Sequence, residues 1–244
     1  MTDDTVQSAS DIERERVLER ADAFEAVRGL KADSAQAAVV DYPWTFANET
    51  RPGAAEKSRP DDWQMVSNDR LPAFLEALRP ALEPGSWVFV FADDDVLPAF
   101  RRAVEEAFTF RKTLIWDCER IGLGHYYRSE HGYLVGGTVG ETDRYAQSTG
   151  TVFEAVEPAR QPGRADTYPT EKPASLLRDV LEPVLSPGER VLEPFCGSAP
   201  TLEAARDLGL HYWGVDVSEA AIERARRRGG QTVLPDAERG ESDS

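Results

Sequence analysis

Residues 190–216 carry the spacing of small and acidic residues that a nucleoside-binding site needs. An apolar segment is followed by the turn Gly197-Ser198, a helical segment and a second apolar segment that ends in Asp216. A helix N-terminus presents unpaired N–H groups, and glycine lets a ligand approach the backbone closely. An acidic residue about twenty positions further along the chain can accept hydrogen bonds from ribose hydroxyls. The pattern therefore predicts a site for a nucleoside cofactor.

A second carboxylate, Glu193, ends the first of these apolar segments. Open α/β sheets bind ligands at the carboxyl ends of their strands, and a carboxylate buried there needs a partner. Glu193 suits a cationic or amine-bearing ligand better than a diphosphate, and no Gly-Lys-Ser/Thr sequence follows the turn. A strand–glycine–helix unit also occurs in α/β proteins that bind nothing, so this unit needs support from elsewhere in the chain.

That support comes from Asp41-Tyr-Pro-Trp44, the candidate reaction centre, which follows the apolar run Ala37–Val40. The run predicts a buried strand. Without the cofactor pattern, the four residues would indicate only a strand that ends in a proline turn with an aromatic plug. With it, they are a candidate for catalysis at the end of a neighbouring strand.

Three segments together resemble the amino-group DNA methyltransferases that use S-adenosylmethionine. The family's cofactor motif is typically Asp-Pro-Phe-x-Gly-Ser-Gly-Thr, and this chain has Glu193-Pro-Phe-Cys-Gly-Ser-Ala-Pro200. Its catalytic motif is Asp/Asn/Ser-Pro-Pro-Tyr/Phe/Trp, which Asp41-Tyr-Pro-Trp44 resembles, and its Lys-Pro helix is matched by Thr170-Glu-Lys-Pro173. The catalytic motif comes first, as in the circularly permuted order called the beta class. The resemblance covers residues 37–228.

The resemblance implies a Rossmann-like α/β fold, with a mostly parallel central sheet covered by helices on both faces. It implies S-adenosyl-L-methionine as the cofactor and no metal. The implied cofactor-binding residues are Lys172, Glu193, Pro194, Phe195, Gly197, Ser198 and Asp216. Two positions depart from the family pattern, because Ala199 replaces the second glycine of the cofactor motif and Tyr42 replaces the first proline of the catalytic motif.

The implied catalytic residues are Asp41, Tyr42, Pro43 and Trp44. In the family mechanism, the Asp41 carboxylate and the Tyr42 backbone carbonyl would accept the hydrogens of an exocyclic amine and free its lone pair. Pro43 fixes the direction of that carbonyl, and Trp44 offers a face to a base that has left the stack. Aspartate at the first position favours adenine N6 as the target, with cytosine N4 second.

Basic residues near aromatic ones are the candidate DNA contacts. The loops 45–62 and 140–170 are the only room for target recognition, which predicts a short site, or a palindrome that a dimer reads. The protein is expected to be a monomer or a homodimer. Arginines on an acidic protein also commonly pair with nearby carboxylates. The candidate substrate-binding residues are Arg51, Lys57, Arg59, Arg120, Arg128 and Arg144.

Three other functions stay open at the level of the sequence. The protein could be a cytosine-N4 DNA methyltransferase, or an RNA adenine-N6 methyltransferase, because Asp-x-Pro-Trp also resembles that related group. It could also be a catalytically silent scaffold of the same fold that binds nucleic acid, a reading that Tyr42 and Ala199 motivate. Whether a restriction enzyme accompanies the protein is not encoded in these motifs.

The composition is strongly acidic, with 44 Asp and Glu against 28 Lys and Arg and a formal net charge of −16. Many acidic residues with few lysines resemble proteins of salt-loving organisms. The charge argues against a nucleic-acid partner, but less so at molar salt, where long-range electrostatics is screened. Two cysteines and three histidines argue against a structural zinc site. Without an apolar segment of membrane length or a signal-like N-terminus, a cytoplasmic protein is expected.

The alternation of apolar runs and amphipathic segments predicts one α/β domain. We expect an N-terminal helical extension over 1–36 with a helix at 11–30, a methyltransferase domain over 37–228 and a flexible acidic tail over 229–244. The predicted strands lie at 37–41, 87–92, 111–117, 133–139, 191–195 and 212–217. The predicted helices lie at 71–82, 95–108, 171–185, 198–209 and 218–228.

Overall fold

The computed structural model describes residues 16–44, 65–119, 121, 126–156 and 170–229. The strands are β1 Arg16–Arg20, β2 Ala35–Val40, β3 Leu82–Ala92, β4 Thr109–Asp117, β5 His131–Thr138, β6 Val152–Glu154, β7 Arg190–Glu193 and β8 His211–Asp216. The helices are α1 Ala23–Ala26, α2 Leu71–Leu78, α3 Leu97–Ala107, α4 Ala174–Leu181, α5 Pro200–Leu208 and α6 Glu219–Arg228. None of the helices in these ranges is long and apolar enough to cross a membrane.

The eight strands form one sheet in the order β1-β8-β7-β2-β3-β5-β4-β6. The strands from β1 to β3 in this order are parallel to one another. β5 runs antiparallel to both β3 and β4, whereas β6 is parallel to β4. The prediction of a mostly parallel sheet is therefore confirmed.

The two faces of the sheet are both covered, because successive side chains of a strand point to opposite sides. In β2, Ala38 and Val40 pack in the cluster that contains residues of α1, α2 and α3. Ala37 and Val39 pack in the other cluster, with residues of α4, α5 and α6. Burial on both faces explains why β2 and β3 are almost continuously apolar, and it confirms the three-layer fold class.

The N-terminal part differs from the prediction. Residues 16–20 form β1, an edge strand parallel to β8, and not the middle of a helix over 11–30. The observed helix is only Ala23–Ala26, and its N-cap is Asp22, whose carboxylate accepts a hydrogen bond from the Glu25 N–H. Val17 and Leu18 pack on opposite faces of the sheet, as in a strand. Residues 16–20 therefore belong to the sheet and not to a helical extension.

Most of the remaining elements lie close to their predicted positions, but β3 begins at Leu82, five residues before the predicted strand over 87–92, and α2 ends at Leu78 and not at residue 82. α4 is shorter than the predicted helix over 171–185, because it begins after Pro173 and ends at Leu181. The segment 140–170, predicted to be irregular, contributes β6 to the edge of the sheet. The predicted loop 45–62, residues 157–169 and the predicted tail from residue 230 lie outside the described residues.

The parallel strands place three acidic residues at one edge of the sheet. Asp216 ends β8, Glu193 ends β7 and Asp41 follows β2, and these strands are neighbours in this order. The antiparallel strand β5 begins at the same edge with His131, opposite the end of β4. We call this edge, with Asp216, Glu193, Asp41 and His131, the carboxyl edge.

Candidate cofactor and reaction site

One cavity of about 600 Å³ opens at the carboxyl edge. It brings together every residue that the sequence predicted for catalysis and for cofactor binding. From the catalytic motif it is lined by Asp41, Tyr42, Pro43 and Trp44. From the cofactor motifs it is lined by Lys172, Glu193, Pro194, Phe195, Gly197, Ser198 and Asp216.

The turn between β7 and α5 forms one wall of the cavity and has a left-handed backbone at two positions. Gly197 has φ 50°, and Ala199 has φ 54° and ψ 59°. The Ala199 N–H donates to the Cys196 carbonyl at 2.7 Å, and α5 begins at Pro200, where a missing N–H costs nothing. A left-handed conformation costs a residue with a Cβ about 1–2 kcal/mol. Ala199 therefore adopts, at an energetic cost, a conformation that glycine would adopt freely.

Asp216 ties the two ligand-facing turns together. Its Oδ2 accepts a hydrogen bond from the Gly197 N–H at 2.9 Å, and its Oδ1 accepts one from the Ser218 N–H at 2.9 Å. An ionised carboxylate has about four acceptor positions, so both oxygens can accept further hydrogen bonds. The residue predicted to bind a ribose thus also holds the glycine turn in place.

Glu193 is buried and has the partners that a carboxylate at a strand end needs. Oε1 accepts a hydrogen bond from the Thr201 hydroxyl at 2.5 Å, and Oε2 accepts one from the Tyr212 hydroxyl at 2.5 Å. Burial raises the pKa of Glu193 to about 8, against the lowering effect of these two hydrogen bonds. Thr201 and Tyr212 were not predicted from the sequence.

Ser198 belongs to a second buried network that the sequence did not reveal. Its hydroxyl donates to Glu171 Oε2 at 2.7 Å, and Arg228 Nη2 lies 2.6 Å from Glu171 Oε1. Glu171 comes directly before Lys172, and Arg228 is the last residue of α6. The network joins the cofactor turn to the segment that carries the Lys-Pro motif.

Lys172 contacts the reaction centre and not the predicted cofactor carboxylates. Its Nζ donates to Asp41 Oδ2 at 2.6 Å and lies 5.0 Å from the ring centre of Phe91. Only 12% of the Lys172 side chain is exposed, so solvent screens this ion pair less than a surface pair. Lys172 therefore orients the Asp41 carboxylate and leaves Oδ1 as the oxygen outside this ion pair.

Tyr42 explains how the catalytic motif accommodates a residue other than proline. Its ring lies in the core, edge-on to Phe100 and Phe195, and its hydroxyl donates to the Ser67 carbonyl at 2.8 Å. Burial raises the pKa of the Tyr42 hydroxyl. Its backbone carbonyl accepts the Trp44 N–H at 2.8 Å across Pro43. The side chain supports the core, whereas the carbonyl stays in the tight turn of the motif.

Beyond Trp44, the cavity is lined by Asp93, Trp116, His131 and Gly132, which the sequence analysis did not assign. Asp93 Oδ1 accepts hydrogen bonds from the Asp95 and Val96 N–H groups, and burial raises the pKa of this carboxyl. Asp93 follows a buried strand, as Asp41 does, and that position is the signal that could have identified it.

His131 is held by hydrogen bonds at the mouth of the cavity. Its Nε2 lies 2.7 Å from the Tyr133 hydroxyl, which donates to Asp94 Oδ1 at 2.8 Å. The Ser129 hydroxyl donates to Asp94 Oδ2 at 2.7 Å, and it is the main cause of the lowered pKa of Asp94. Because the tyrosine proton goes to Asp94, the neutral His131 ring must be protonated on Nε2.

Of the predicted substrate contacts, the structure describes only Arg128 and Arg144. Arg51, Lys57, Arg59 and Arg120 lie outside the described residues. Arg128 is exposed close to His131, together with the fully exposed rings of Tyr126 and Tyr127. A cation that the sequence analysis did not select, Arg70, lines the cavity.

Arg144, the last of the predicted contacts, lies at the opposite edge of the sheet from the cavity, and its role as a substrate contact stays a prediction. Its Nη2 pairs with Glu83 at 2.8 Å and its Nη1 with Glu189. Glu83 lies at the start of β3 and Glu189 directly before β7, so these are the amino ends of parallel strands. We call this group of three residues the amino-edge ion cluster. Both terminal nitrogens of the Arg144 side chain are paired within this cluster, which lies at the ends of the strands opposite to the cavity.

Part of the sequence is similar to known DNA methylases. Residues 138–227 match the family described as DNA methylase. YubD of Escherichia coli (strain K12) is 36% identical over 72 residues, which is 25% of this chain and 32% of that protein. The type II methyltransferase M.EcaI of Enterobacter cloacae is 38% identical over 61 residues, 25% of this chain and 14% of that protein. The chain therefore matches less than a third of each relative's length.

Solved structures share the fold over most of the chain. M1.HpyAVI in complex with S-adenosylmethionine has a TM-score of 0.66 at 18% identity, covering 87% of this chain and 98% of that one. The PvuII DNA methyltransferase, cytosine-N4-specific, has a TM-score of 0.67 at 12% identity, covering 90% and 86%. The protein thus has the fold of S-adenosylmethionine-dependent methyltransferases, and its residues 138–227 match the DNA methylase family.

Proposed function

We propose that this protein is a DNA methyltransferase that transfers a methyl group from S-adenosyl-L-methionine to an exocyclic amine, with adenine N6 as the preferred target. The observation that carries the proposal is the single cavity that joins Asp41–Trp44 to Gly197, Glu193 and Asp216. The DNA methylase match over residues 138–227 and the type II methyltransferase relatives support the same reaction.

The residues present fit the cofactor. Glu193 offers a buried carboxylate to an ammonium group, and Asp216 offers acceptor positions to ribose hydroxyls at the neighbouring strand end. The left-handed turn before α5 lines the cavity with Gly197 and Ser198, beside the start of the helix. When bound, the cofactor supplies an activated methyl group beside the reaction centre.

Asp41 and the Tyr42 carbonyl are the acceptors for the target amine. Lys172 holds Asp41 through Oδ2, so Oδ1 is available to one amine hydrogen. Pro43 fixes the backbone so that the Tyr42 carbonyl can accept the other hydrogen on its second lone pair. Holding both hydrogens localises the nitrogen lone pair, and Asp41 is the base beside the nitrogen when it must lose a proton. Positioning of this kind is worth several kcal/mol.

The second part of the cavity fits a base that has left the DNA stack. Trp44 and Trp116 provide aromatic surfaces, and Asp93 and His131 provide polar groups. Adjacent strands lie about 4.8 Å apart, so β5 is about 10 Å from β2 across β3. A flat base with its amine at Asp41 would therefore extend over β3 toward His131. Arg128, Tyr126 and Tyr127 flank this end and are the proposed contacts to the rest of the DNA.

The proposal is tested by sequencing modified bases at single-base resolution in DNA from cells that express the protein. We expect methylated adenine at a short motif with the wild type and none with Asp41→Ala, while purified Asp41→Ala still binds S-adenosylmethionine. Methylated cytosine at such a motif would assign cytosine N4, and not adenine N6, as the target.

Two other outcomes would overturn DNA methylation as the function. Transfer to RNA but not to DNA would assign the RNA reaction, which the Asp-x-Pro-Trp resemblance leaves open. Cofactor binding without transfer to either nucleic acid, assayed also at high salt, would assign the silent scaffold. If Asp41→Ala stayed active, the reaction centre would lie elsewhere.

A further inference from the structure

Glu193 is held by a pair of donors from two different elements, which we call the Glu193 clamp: Tyr212 of β8 and Thr201 of α5. In the register of the two strands, Glu193 of β7 lies opposite Gly214 of β8, two residues beyond Tyr212. The Tyr212 ring therefore leans along its own strand to bring its hydroxyl to Glu193 Oε2. Thr201 reaches Oε1 from the helix above.

Gly214 is the residue that makes this arrangement possible. A Cβ at position 214 would lie 2.1 Å from the Tyr212 hydroxyl oxygen and 2.6 Å from the ring carbon that bears it. Real Cβ atoms do not approach other atoms so closely, so any other residue would displace the ring. The glycine of Tyr212-Trp-Gly214 is thus explained by a contact of the Tyr212 side chain, and not by a turn.

The identity of the acid matches the clamp. The DNA methyltransferase motif that this chain resembles has aspartate where this chain has Glu193, which is longer by one methylene group. Tyr212 and Thr201 reach the carboxylate at the end of that longer side chain. The glutamate at position 193, the tyrosine at 212 and the glycine at 214 therefore depend on one another. An aspartate would withdraw the carboxylate from both donors.

The charged and titratable groups around Glu193 favour its neutral form when no cation is near. Asp41 of the neighbouring strand end is a second negative charge near it, and Asp41 itself accepts a hydrogen bond from Lys172. Cys196 and Tyr212 are kept neutral, because burial raises both their pKa values well above the usual range. Burial is the largest cause of the pKa of about 8 at Glu193 itself.

We infer that Tyr212 is a positioning residue for Glu193, and that the Glu193 clamp couples binding of the cationic cofactor to release of one proton from Glu193. This inference rests on the proposed function, because it takes Glu193 as the partner of the cofactor's ammonium group. Before binding, the acid carries its proton. A cation in the adjacent cavity favours the carboxylate and the proton leaves to solvent. The hydrogen bonds that Tyr212 and Thr201 already donate then become charge-assisted and stabilise the ionised form.

The experiment is calorimetric titration of S-adenosylmethionine into the protein at pH 7, in two buffers that differ in ionisation enthalpy. The wild type is expected to release most of one proton per cofactor bound, as a group of pKa about 8 requires. Glu193→Gln is expected to release none. At pH 7 the cofactor's own α-amine is already largely protonated in solution, so its proton uptake on binding is small beside the proton expected from Glu193, and the difference between the two proteins reports mainly on Glu193.

Tyr212→Phe tests the positioning role. It removes a donor to the ionised acid, so it is expected to weaken cofactor binding at pH 7 about tenfold. The affinity should approach the wild-type value as the pH rises above the shifted pKa, which a merely structural defect would not do. In the Glu193→Gln background the same change should have no effect. Tyr145→Phe, at an exposed tyrosine, is the control. If Tyr212→Phe does not fold, Thr201→Val removes the other donor.

Cofactor binding by the wild type without proton release would overturn the inference and leave the proposed function intact. So would a Tyr212→Phe defect that is the same at every pH, or that persists in the Glu193→Gln background. No cofactor binding by the folded wild type at any pH would contradict the proposed function itself, and the inference would fail with it.

Discussion

The two edges of the central sheet carry similar charged residues and use them differently. At the carboxyl edge, Glu193 and Asp216 are hydrogen-bonded by neutral donors and keep one side toward the cavity. At the opposite edge, the amino-edge ion cluster pairs Arg144 with two glutamates, outside the cavity lining. A neutral donor positions an acidic side chain without supplying a counter-charge, whereas an ion pair supplies one. Strand direction and the type of hydrogen-bond partner, and not charge alone, therefore distinguish the candidate site from the opposite edge.

The largest effect should follow from loss of the carboxylate that joins the two turns. Asp216→Ala removes the acceptor of the Gly197 and Ser218 N–H groups and the proposed ribose contact. We expect S-adenosylmethionine to bind about 10- to 100-fold more weakly. Calorimetry or equilibrium dialysis measures this. Unchanged affinity in a folded variant would move the ribose site away from β8.

The next effect should come from the Lys172–Asp41 ion pair at the carboxyl edge. Lys172→Met removes the group that orients Asp41, so we expect kcat of methyl transfer to fall about tenfold, with a smaller change in cofactor affinity. Lys172→Arg, which keeps the charge, should recover part of the rate. A loss that appears only in cofactor affinity would return Lys172 to the cofactor-binding role that the sequence predicted.

Changes in the amino-edge ion cluster should leave the chemistry unaffected. Arg144→Gln is expected to alter both kcat and cofactor affinity less than about twofold, and to lower the free energy of unfolding by about 1 kcal/mol because Glu83 and Glu189 lose their partner. Denaturant unfolding and transfer assays measure the two effects. A large loss of DNA affinity in this variant would contradict a purely structural role of this cluster and support Arg144 as a substrate contact.

The smallest effect is expected in the turn itself. Ala199→Gly removes the strain of the left-handed backbone, which stabilises the fold. It also loses a buried methyl group and increases the conformational entropy of the unfolded chain, and both effects destabilise the fold. The free energy of unfolding should therefore change by less than about 1 kcal/mol. Ala205→Gly, at a buried position inside α5, is the matched control and should cost more, about 2 kcal/mol. Equal losses in the two variants would show that Ala199 is not strained.

Much of the fold could be predicted because its central strands are buried on both faces. The continuous apolar runs of β2 and β3 and the amphipathic α3 and α6 were identified from pattern alone. β1 was not identified, because Val17, Leu18, Ala21 and Phe24 also recur near the spacing of a helix. Only the pairing with β8 shows that residues 16–20 form a strand. The parallel order then placed Asp41 beside Glu193, as the motifs required.

The parts of the site that could not be predicted are contacts between residues distant in the chain. Thr201 and Tyr212 meet Glu193, and Arg228 meets Glu171, through packing that no local pattern encodes. Arg144 was chosen for its aromatic neighbours, but its partners lie 61 and 45 residues away in the sequence. The halophilic origin suggested by the composition stays a prediction.

The most direct test of the account is an experimental structure of the protein with S-adenosylhomocysteine. We expect the amino group of the ligand at Glu193, its ribose hydroxyls at Asp216 and its sulfur on the side of the cavity that faces Asp41. A ligand bound at another edge of the sheet, or bound with its ribose away from Asp216 and its sulfur away from Asp41, would contradict it.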